Sequence, residues 1–266
     1  MYKRFIISLL ITGLLAGCAT NPLPDPMYKP AEKVERSKVE DFYTLPAPEG
    51  GKVVAAVYSF KDLTGQRKPS DKLANISFAV TQGAETWVIK SLKEVGGGQW
   101  FKVVERVGLE NLTKERQIIR QARQSVNDET KLKPMLFAGV ILEGGITGYD
   151  SNTLTGGAGA RYLGIGPSTQ YRQDIVTVSM RLVSVQTGEI LLNVSTTKTI
   201  VSHGNSLTFF RFCDMGTAAA EAEVGSTVNE PVNYAVRTAI ETCVVELVKE
   251  GEKSGYWKYK STNNQQ

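Results

Sequence analysis

The sequence predicts an α/β domain with a mixed sheet, preceded by a lipoprotein leader and carrying two segments that read as membrane β-hairpins. Three observations support this. Apolar runs at strand length and at helical spacing are interleaved along the body, as α/β content requires. A long antiparallel hairpin breaks the strand–helix alternation, so the sheet is mixed rather than parallel. Residues 149–173 and 203–227 have no pattern that suits a soluble core, and the second alternates in character over two runs of about ten residues.

The chain opens on Lys3 and Arg4, then an apolar run from Phe5 to Gly17, a signal-peptide length that is too short to span a bilayer as a helix. Leu15-Ala16-Gly17-Cys18 closes it. Small residues before a cysteine form a lipobox, in which Cys18 becomes the first mature residue and its thiol carries diacylglycerol. Further acylation of the new amine adds a third chain, and each buried CH₂ contributes about 0.8 kcal/mol to anchoring. Ala19 stands where an aspartate would favour inner-membrane retention, which points to the outer membrane. Residues 1–17 are therefore leader, and 18–48 a lipidated tether holding Pro22, Pro24, Pro26, Pro30, Pro46 and Pro48 among charges. The body is 49–266.

Lys52–Phe60 reads as a strand, and Thr64–Asn75 as a polar loop. Val80, Ala84, Trp87, Val88, Ser91, Leu92 and Val95 recur at helical spacing until Gly96-Gly97-Gly98 stops them. Trp100–Glu105 is a strand. Leu109, Leu112, Ile119 and Ala122 mark a second amphipathic helix, and Met135–Gly148 a buried strand. Val176, Val178, Met180 and Leu182 alternate with Thr177, Ser179 and Arg181, one face apolar and one polar. Gln186-Thr187-Gly188-Glu189 turns the chain, and Ile190–Val201 returns. Asn229 and Pro231 open a final helix with a buried stripe of Val232, Val236, Ala239, Ile240, Cys243 and Leu247, closed by Gly251.

In 203–227, Phe210, Phe212, Ala218, Ala220 and Ala222 occupy even positions, and Arg211, Glu221 and Glu223 odd ones. As a membrane hairpin this places the first set towards lipid and the second towards water. A pair of flexible surface loops is the other reading that these glycine-rich and small-residue segments permit.

Several chemistries are excluded. His203 is the only histidine, so histidine acid–base catalysis and multi-histidine metal sites are out, and the sequence implies no cofactor. Gly157-Ala158-Gly159 is not followed by a phosphate-loop pattern. The net charge of +4 falls by two when Lys3 and Arg4 leave, too weak for a nucleic-acid partner. Cys213 and Cys243 are two residues rather than a framework, and two buried thiols suit them better than a bridge.

The chain resembles the curli secretion channel (CsgG) family of outer-membrane lipoproteins. The resemblance rests on the lipobox at Cys18, Leu45-Pro46-Ala47-Pro48, Thr64-Gly65-Gln66 with Lys68-Pro69, and Gly148-Tyr149 with Ser151-Asn152. It continues through Gly159-Ala160-Arg161-Tyr162, Gly164-Ile165-Gly166, Thr169-Gln170-Tyr171, Thr187-Gly188-Glu189-Ile190-Leu191, Phe210-Arg211-Phe212 and Asn229-Glu230-Pro231, in family order.

The resemblance implies a homo-oligomeric ring of about nine subunits, each giving two transmembrane β-hairpins to one oligomeric β-barrel above a periplasmic domain. Arg211, Glu221 and Glu223 would face its lumen. It implies export of unfolded curli subunits by diffusion, without nucleotide or enzymatic activity, helped by a periplasmic cap protein and a surface-coupling factor. The loop after the first strand would form the pore constriction. Asn75 matches the family asparagine, Ile76 replaces a phenylalanine, and Ser70 or Asp71 stands near a tyrosine position in a loop one residue longer. Polar and ionic lining then replaces aromatic rings. A periplasm-facing interaction module, such as a penicillin-binding-protein activator, is the rival reading.

Replacing Cys18 with serine should abolish lipidation, because serine forms no thioether. Metabolic labelling with a palmitate analogue checks this, and label persisting on the serine variant contradicts it.

Overall fold

A computed structural model of the chain describes residues 30–66, 80–154, 165–212, 219–229 and 232–261, with the backbone alone at 151–154, 165–172, 201–212 and 219–229. The elements are β1 (Val53–Asp62), α1 (Ala84–Gly98), β2 (Phe101–Val104), α2 (Leu109–Ser125) and β3 (Val140–Leu154). They continue with β4 (Ile165–Ser184), β5 (Ile190–Phe212), β6 (Ala219–Asn229) and α3 (Val232–Lys253). The sheet order is β2-β1-β3-β4-β5-β6. β1 is parallel to β2 and β3, and the remaining neighbours are antiparallel, so the sheet is mixed as expected. Among the described residues no helix is long and apolar enough to cross a membrane.

The core lies on one side of the sheet. α1 packs on β1, β2 and α3, and α3 packs on β4 and β5. Val176, Val178, Met180 and Leu182 from β4 meet Ala239, Ile240, Cys243 and Leu247 in one buried cluster. The alternation in β4 thus delivers its apolar side to the helices, and its exposed side carries hydroxyls. Burial pushes the Cys243 thiol up to about 11, with a hydrogen bond to Thr196 acting the other way. Cys213 lies outside the described residues.

Five expectations change. The body begins before residue 49: Phe42 and Leu45 are buried in the core, and Ser37 Oγ donates to Glu241 Oε2 at 2.6 Å. The compact unit accordingly begins at Ser37. Val80 is buried but precedes its helix, which starts after Gly83; the apolar spacing continued where helical backbone did not. At the other end Val95 leaves helical geometry and Gly96 takes φ +57, so the glycine stop holds. Gly96 is also required sterically, since a Cβ there would sit 2.5 Å from Trp100.

The strand expected from Met135 begins at Val140, and Met135, Leu136 and Phe137 are exposed. Their stretch of chain is tied to arginines instead of a ladder. Arg123 donates to the Thr130 carbonyl at 2.6 Å, Arg116 to that of Lys133 at 2.8 Å, and Arg106 to that of Leu136 at 2.9 Å. Backbone acceptors satisfied by guanidinium groups have no need of strand pairing.

Asn229 ends β6, paired with Ser202, and α3 starts at Val232. Gly251 does not close that helix, which runs to Lys253 and turns at Gly255 with φ +80. Gly251 is small because the Trp257 ring lies on it: a Cβ would come within 2.0 Å. That ring is held, since Trp257 Nε1 donates to the Val248 carbonyl at 2.8 Å and its face meets fully buried Trp100 edge-on at 5.6 Å. Trp100 in turn donates to the Pro46 carbonyl at 3.0 Å and meets Tyr259, so both ends of the body close on one indole.

Replacing Gly251 with alanine should therefore destabilise the body by about 1–3 kcal/mol through overpacking. Urea denaturation followed by tryptophan fluorescence measures it; an unchanged midpoint would show that Trp257 can move aside.

Candidate functional site

The strands outrun the core, and the place where they do so is sharply defined. β1 pairs with β3 only as far as Asp62 opposite Ile146. A register shift between Ile146 and Gly148 follows, after which β3 continues beside β4 alone. The extra residue reverses the side on which β3 positions lie. Val140, Leu142 and Ile146 are buried before it, and Tyr149 after it. Tyr149 Oη donates to Asp174 Oδ2 at 3.1 Å, the last described buried side-chain contact on the helix side.

Beyond this point the ladder of β4 with β5 runs on without interruption, from Leu182 opposite Leu192 to Ile165 opposite Phe209. β5 then pairs with β6 from Ser202 opposite Asn229 to Phe212 opposite Ala219. Directly paired positions in an antiparallel ladder lie on the same side of the sheet. The two sides can therefore be followed outward from the core by register.

Within the core the helix side is apolar, through Val176, Val178 and Met180, and the other side is polar. There Ser179 Oγ meets Thr147 at 3.1 Å and Ser195 at 2.8 Å, and Arg181 pairs with Glu143 at 2.7 Å. Further out the character exchanges. Positions continuous with the helix side are Ser168, Gln170 and Arg172 of β4, Ser206 and Thr208 of β5, and Glu221 and Glu223 of β6. Positions continuous with the polar side are Ile165, Pro167, Leu207, Phe209, Ala220, Ala222 and Val224 towards the tip, with Thr169 and Tyr171 of β4 and His203 and Asn205 of β5 nearer the core. The sheet inverts its polarity between core and extension.

This register corrects the side assignment made from alternation alone. Phe210 is opposite Glu221, Phe212 opposite Ala219, and Arg211 opposite Ala220. Even positions of β5 therefore share a side with odd positions of β6. Glu221 and Glu223 keep the polar side, Arg211 joins Ala220 and Ala222 on the apolar one, and Phe210 and Phe212 join the glutamates. Each strand's alternation is as expected. What sequence alternation lacks is the phase between two strands, which the tip of the hairpin sets. That tip, 213–218 with Ala218, lies outside the described residues.

Cys18, Ser70, Asp71, Asn75 and Ile76 also lie outside the described residues, but the two ends of the loop that holds the last four do not. Asp62 Oδ1 accepts from the Thr64 amide at 2.9 Å and from Thr64 Oγ1 at 2.6 Å, and Oδ2 accepts from Gln82 Nε2 at 3.0 Å. Asp62 and Gln82 were not singled out from sequence. The Asp-Leu-Thr spacing that lets a carboxylate turn the chain two residues on was the available signal. The buried ions are structural: Arg237 and Glu241 pair at 2.7 Å, with the guanidinium 5.3 Å from the Trp87 ring centroid. Among the described residues no group of histidine, cysteine, aspartate or glutamate is arranged to hold a metal.

A family model described as curli production assembly/transport component CsgG matches residues 35–266. A relative of that name from Escherichia coli K12 is 41% identical over 261 residues, covering 97% of this chain and 91% of its own length. Another of that name from Salmonella typhimurium LT2 is 40% identical over 256 residues, covering 95% and 90%. Among solved structures, lipoprotein GNA1162 from Neisseria meningitidis superposes with a TM-score of 0.26 at 14% identity, covering 55% of this chain and 82% of that one. The PelC dodecamer from Paraburkholderia phytofirmans gives 0.27 at 13% identity, covering 76% and 90%. Superposition at that level carries no argument.

Proposed function

This chain belongs to the CsgG family of curli production assembly/transport components, and from that premise we propose that it is an outer-membrane channel exporting unfolded curli-type amyloid subunits. The observation that carries the pore reading is the inversion of sheet polarity beyond the core. An antiparallel sheet that turns its apolar side away from its own helices and towards its surroundings needs an apolar phase on that side. A bilayer supplies one. The β6 strand is 11 residues long, against about 9–11 for a tilted membrane strand, and β4 and β5 reach 20 and 23 because they serve core and extension in turn.

Open edges cannot rest in lipid, since each unpaired amide there costs several kcal/mol. Among the described residues, β6 pairs only with β5, and β3 beyond Gly148 pairs only with β4. The edge of one copy against the opposite edge of the next is a head-to-tail contact, which closes into a ring. Four strands per subunit then build one barrel, about nine subunits by family resemblance. The polar side, with Glu221 and Glu223, lines the lumen. Cys18 anchors each subunit through the tether, and the α/β body hangs in the periplasm.

Transport follows from geometry. With no nucleotide in the periplasm, an unfolded chain leaves because confinement costs it conformational entropy that escape restores. A periplasmic cap protein and a surface-coupling factor complete the path, and Asn75 and Ile76, with Ser70 or Asp71, form its narrowest ring. The interaction-module reading has no role for an apolar side on the extended hairpins.

Arginine at Ala222, on the apolar side, should cost about 2–4 kcal/mol near mid-bilayer and sharply reduce assembled particles, whereas Glu221→Gln should assemble normally. Counting subunits in detergent-extracted particles by electron microscopy reads both; equal tolerance of the two changes would favour surface loops.

The constriction predicts a second outcome. Replacing Asn75 and Ile76 with alanine should raise single-channel conductance, and Ile76→Phe should lower it. Identical conductance in all three versions would remove this loop from the bore.

A further inference from the structure

We infer that the arm formed by α2 and the chain returning to β3 is a docking site for a partner protein, whose acidic segment its cleft takes. The inference concerns the body alone and stands whether or not the extended strands close a barrel.

The arm is built outside the core. α2 follows the edge strand β2, and none of its residues is buried. The returning chain lies along it, fastened by arginines from Arg123 at the Thr130 carbonyl to Arg106 at that of Leu136. At the far end Asn127 takes φ +54, and Asp128 Oδ1 accepts from the Thr130 amide at 2.9 Å. Polar bonds rather than apolar packing therefore give the arm its shape. Its apolar side chains are left for something else. Val107, Ile118, Val126, Met135, Leu136 and Phe137 are half of the twelve large apolar residues exposed among the described residues, and Phe137 is 89% exposed. That concentration on one excursion marks a surface that another protein covers.

A cleft of about 450 Å³ between the outer half of α2 and the returning chain sets the partner's chemistry. Arg116, Arg120, Arg123 and Lys131 line it, against the carboxylates of Asp128 and Glu129. The three arginines recur about one turn apart, so they share one side of the helix. Arg116 and Arg123 are held by the carbonyls of Lys133 and Thr130, and Arg123 also pairs with Asp128 at 3.6 Å. Arg120 differs. Its hydrogen bond runs from Nε to the Arg116 carbonyl at 3.3 Å, within its own helix, and it has no acidic partner among the described residues. A guanidinium fork matches a carboxylate bidentately, and arginines already held in place lose little freedom on receiving one. Four cations against two carboxylates leave the cleft positive, so glutamate or aspartate side chains are the ligand that fits it.

The root of the arm argues for a protein rather than a bilayer. The Gly139 amide donates to the Val54 carbonyl at 2.8 Å, near the start of β1. The extended strands leave the core beyond Asp62, at the other end of β1. About 25 Å of strand separates the two places.

The test uses the lipidated full chain in detergent and a fluorescein-labelled peptide of alternating glutamate and leucine. The same peptide with glutamine for glutamate is its neutral counterpart. Fluorescence anisotropy should show the acidic peptide bound and the neutral one unbound. Arg120→Ala should weaken binding about tenfold, the effect of losing hydrogen bonds to a charged group, and Arg120→Lys should weaken it less. Lys114→Ala removes a positive charge from the same helix outside the cleft, where Lys114 pairs with Glu110, and should leave binding unchanged. The thermal melt should stay in place in both alanine variants, because neither side chain fastens the returning chain.

Equal binding of the two peptides, or binding of neither, would overturn the proposal. Equal weakening by Arg120→Ala and Lys114→Ala would also overturn it, since general charge attraction would then account for the binding. If Arg120→Ala instead lowers the number of copies per particle, counted by electron microscopy, the cleft belongs to a neighbouring copy and the acidic partner is ruled out.

Discussion

Everything beyond the core depends on the unbroken ladder between β4 and β5. A strand has a period of two, so a paired position near the helices and one far beyond them are locked to the same side unless a bulge intervenes. None does from Leu182 to Ile165. The sequence of the extension is therefore read against a frame set by the soluble core, where buried Val176, Val178 and Met180 identify the helix side without ambiguity. Glu221 and Glu223 inherit their side from those residues through two consecutive registers.

The one irregularity near the boundary serves the same end. By admitting one extra residue at Thr147, β3 brings Tyr149 onto the helix side beside Val176 and Asp174. Without the shift, Tyr149 would turn outward and Asp150 inward. The glycines around it are dictated by crowding: a Cβ on Gly144 would lie 2.1 Å from the Ser179 carbonyl. The same short stretch thus ends the parallel pairing with β1 and lets β3 continue beside β4 alone.

Features that depend on one strand or one turn were legible in the sequence. The alternation of β4, the glycine stop after Val95 and the turn at Gly188, which takes φ +72, each need only neighbouring residues to specify them. What was misread depended on distant partners. Val80 kept helical spacing because the same core buries it and α1, not because one helix holds both. Gly251 looked like a cap because the Trp257 ring that demands its smallness lies further along the chain. Met135 to Phe137 looked like strand from their apolar character, but the chain before β3 is held by arginines on α2 and beside it, which donate to the carbonyls of Thr130, Lys133 and Leu136.

The side assignment of β5 and β6 is the most instructive case, because both strands were read correctly and the pair was not. Alternation gives each strand two sides but no sign relating them to its neighbour. The sign comes from the parity of the register, here even against odd. Lengthening or shortening the hairpin tip by one residue while the β5 register holds would put Arg211 with the glutamates and Phe210 with the alanines. The charge of the polar side is thus controlled by tip length as much as by which residues the strands contain.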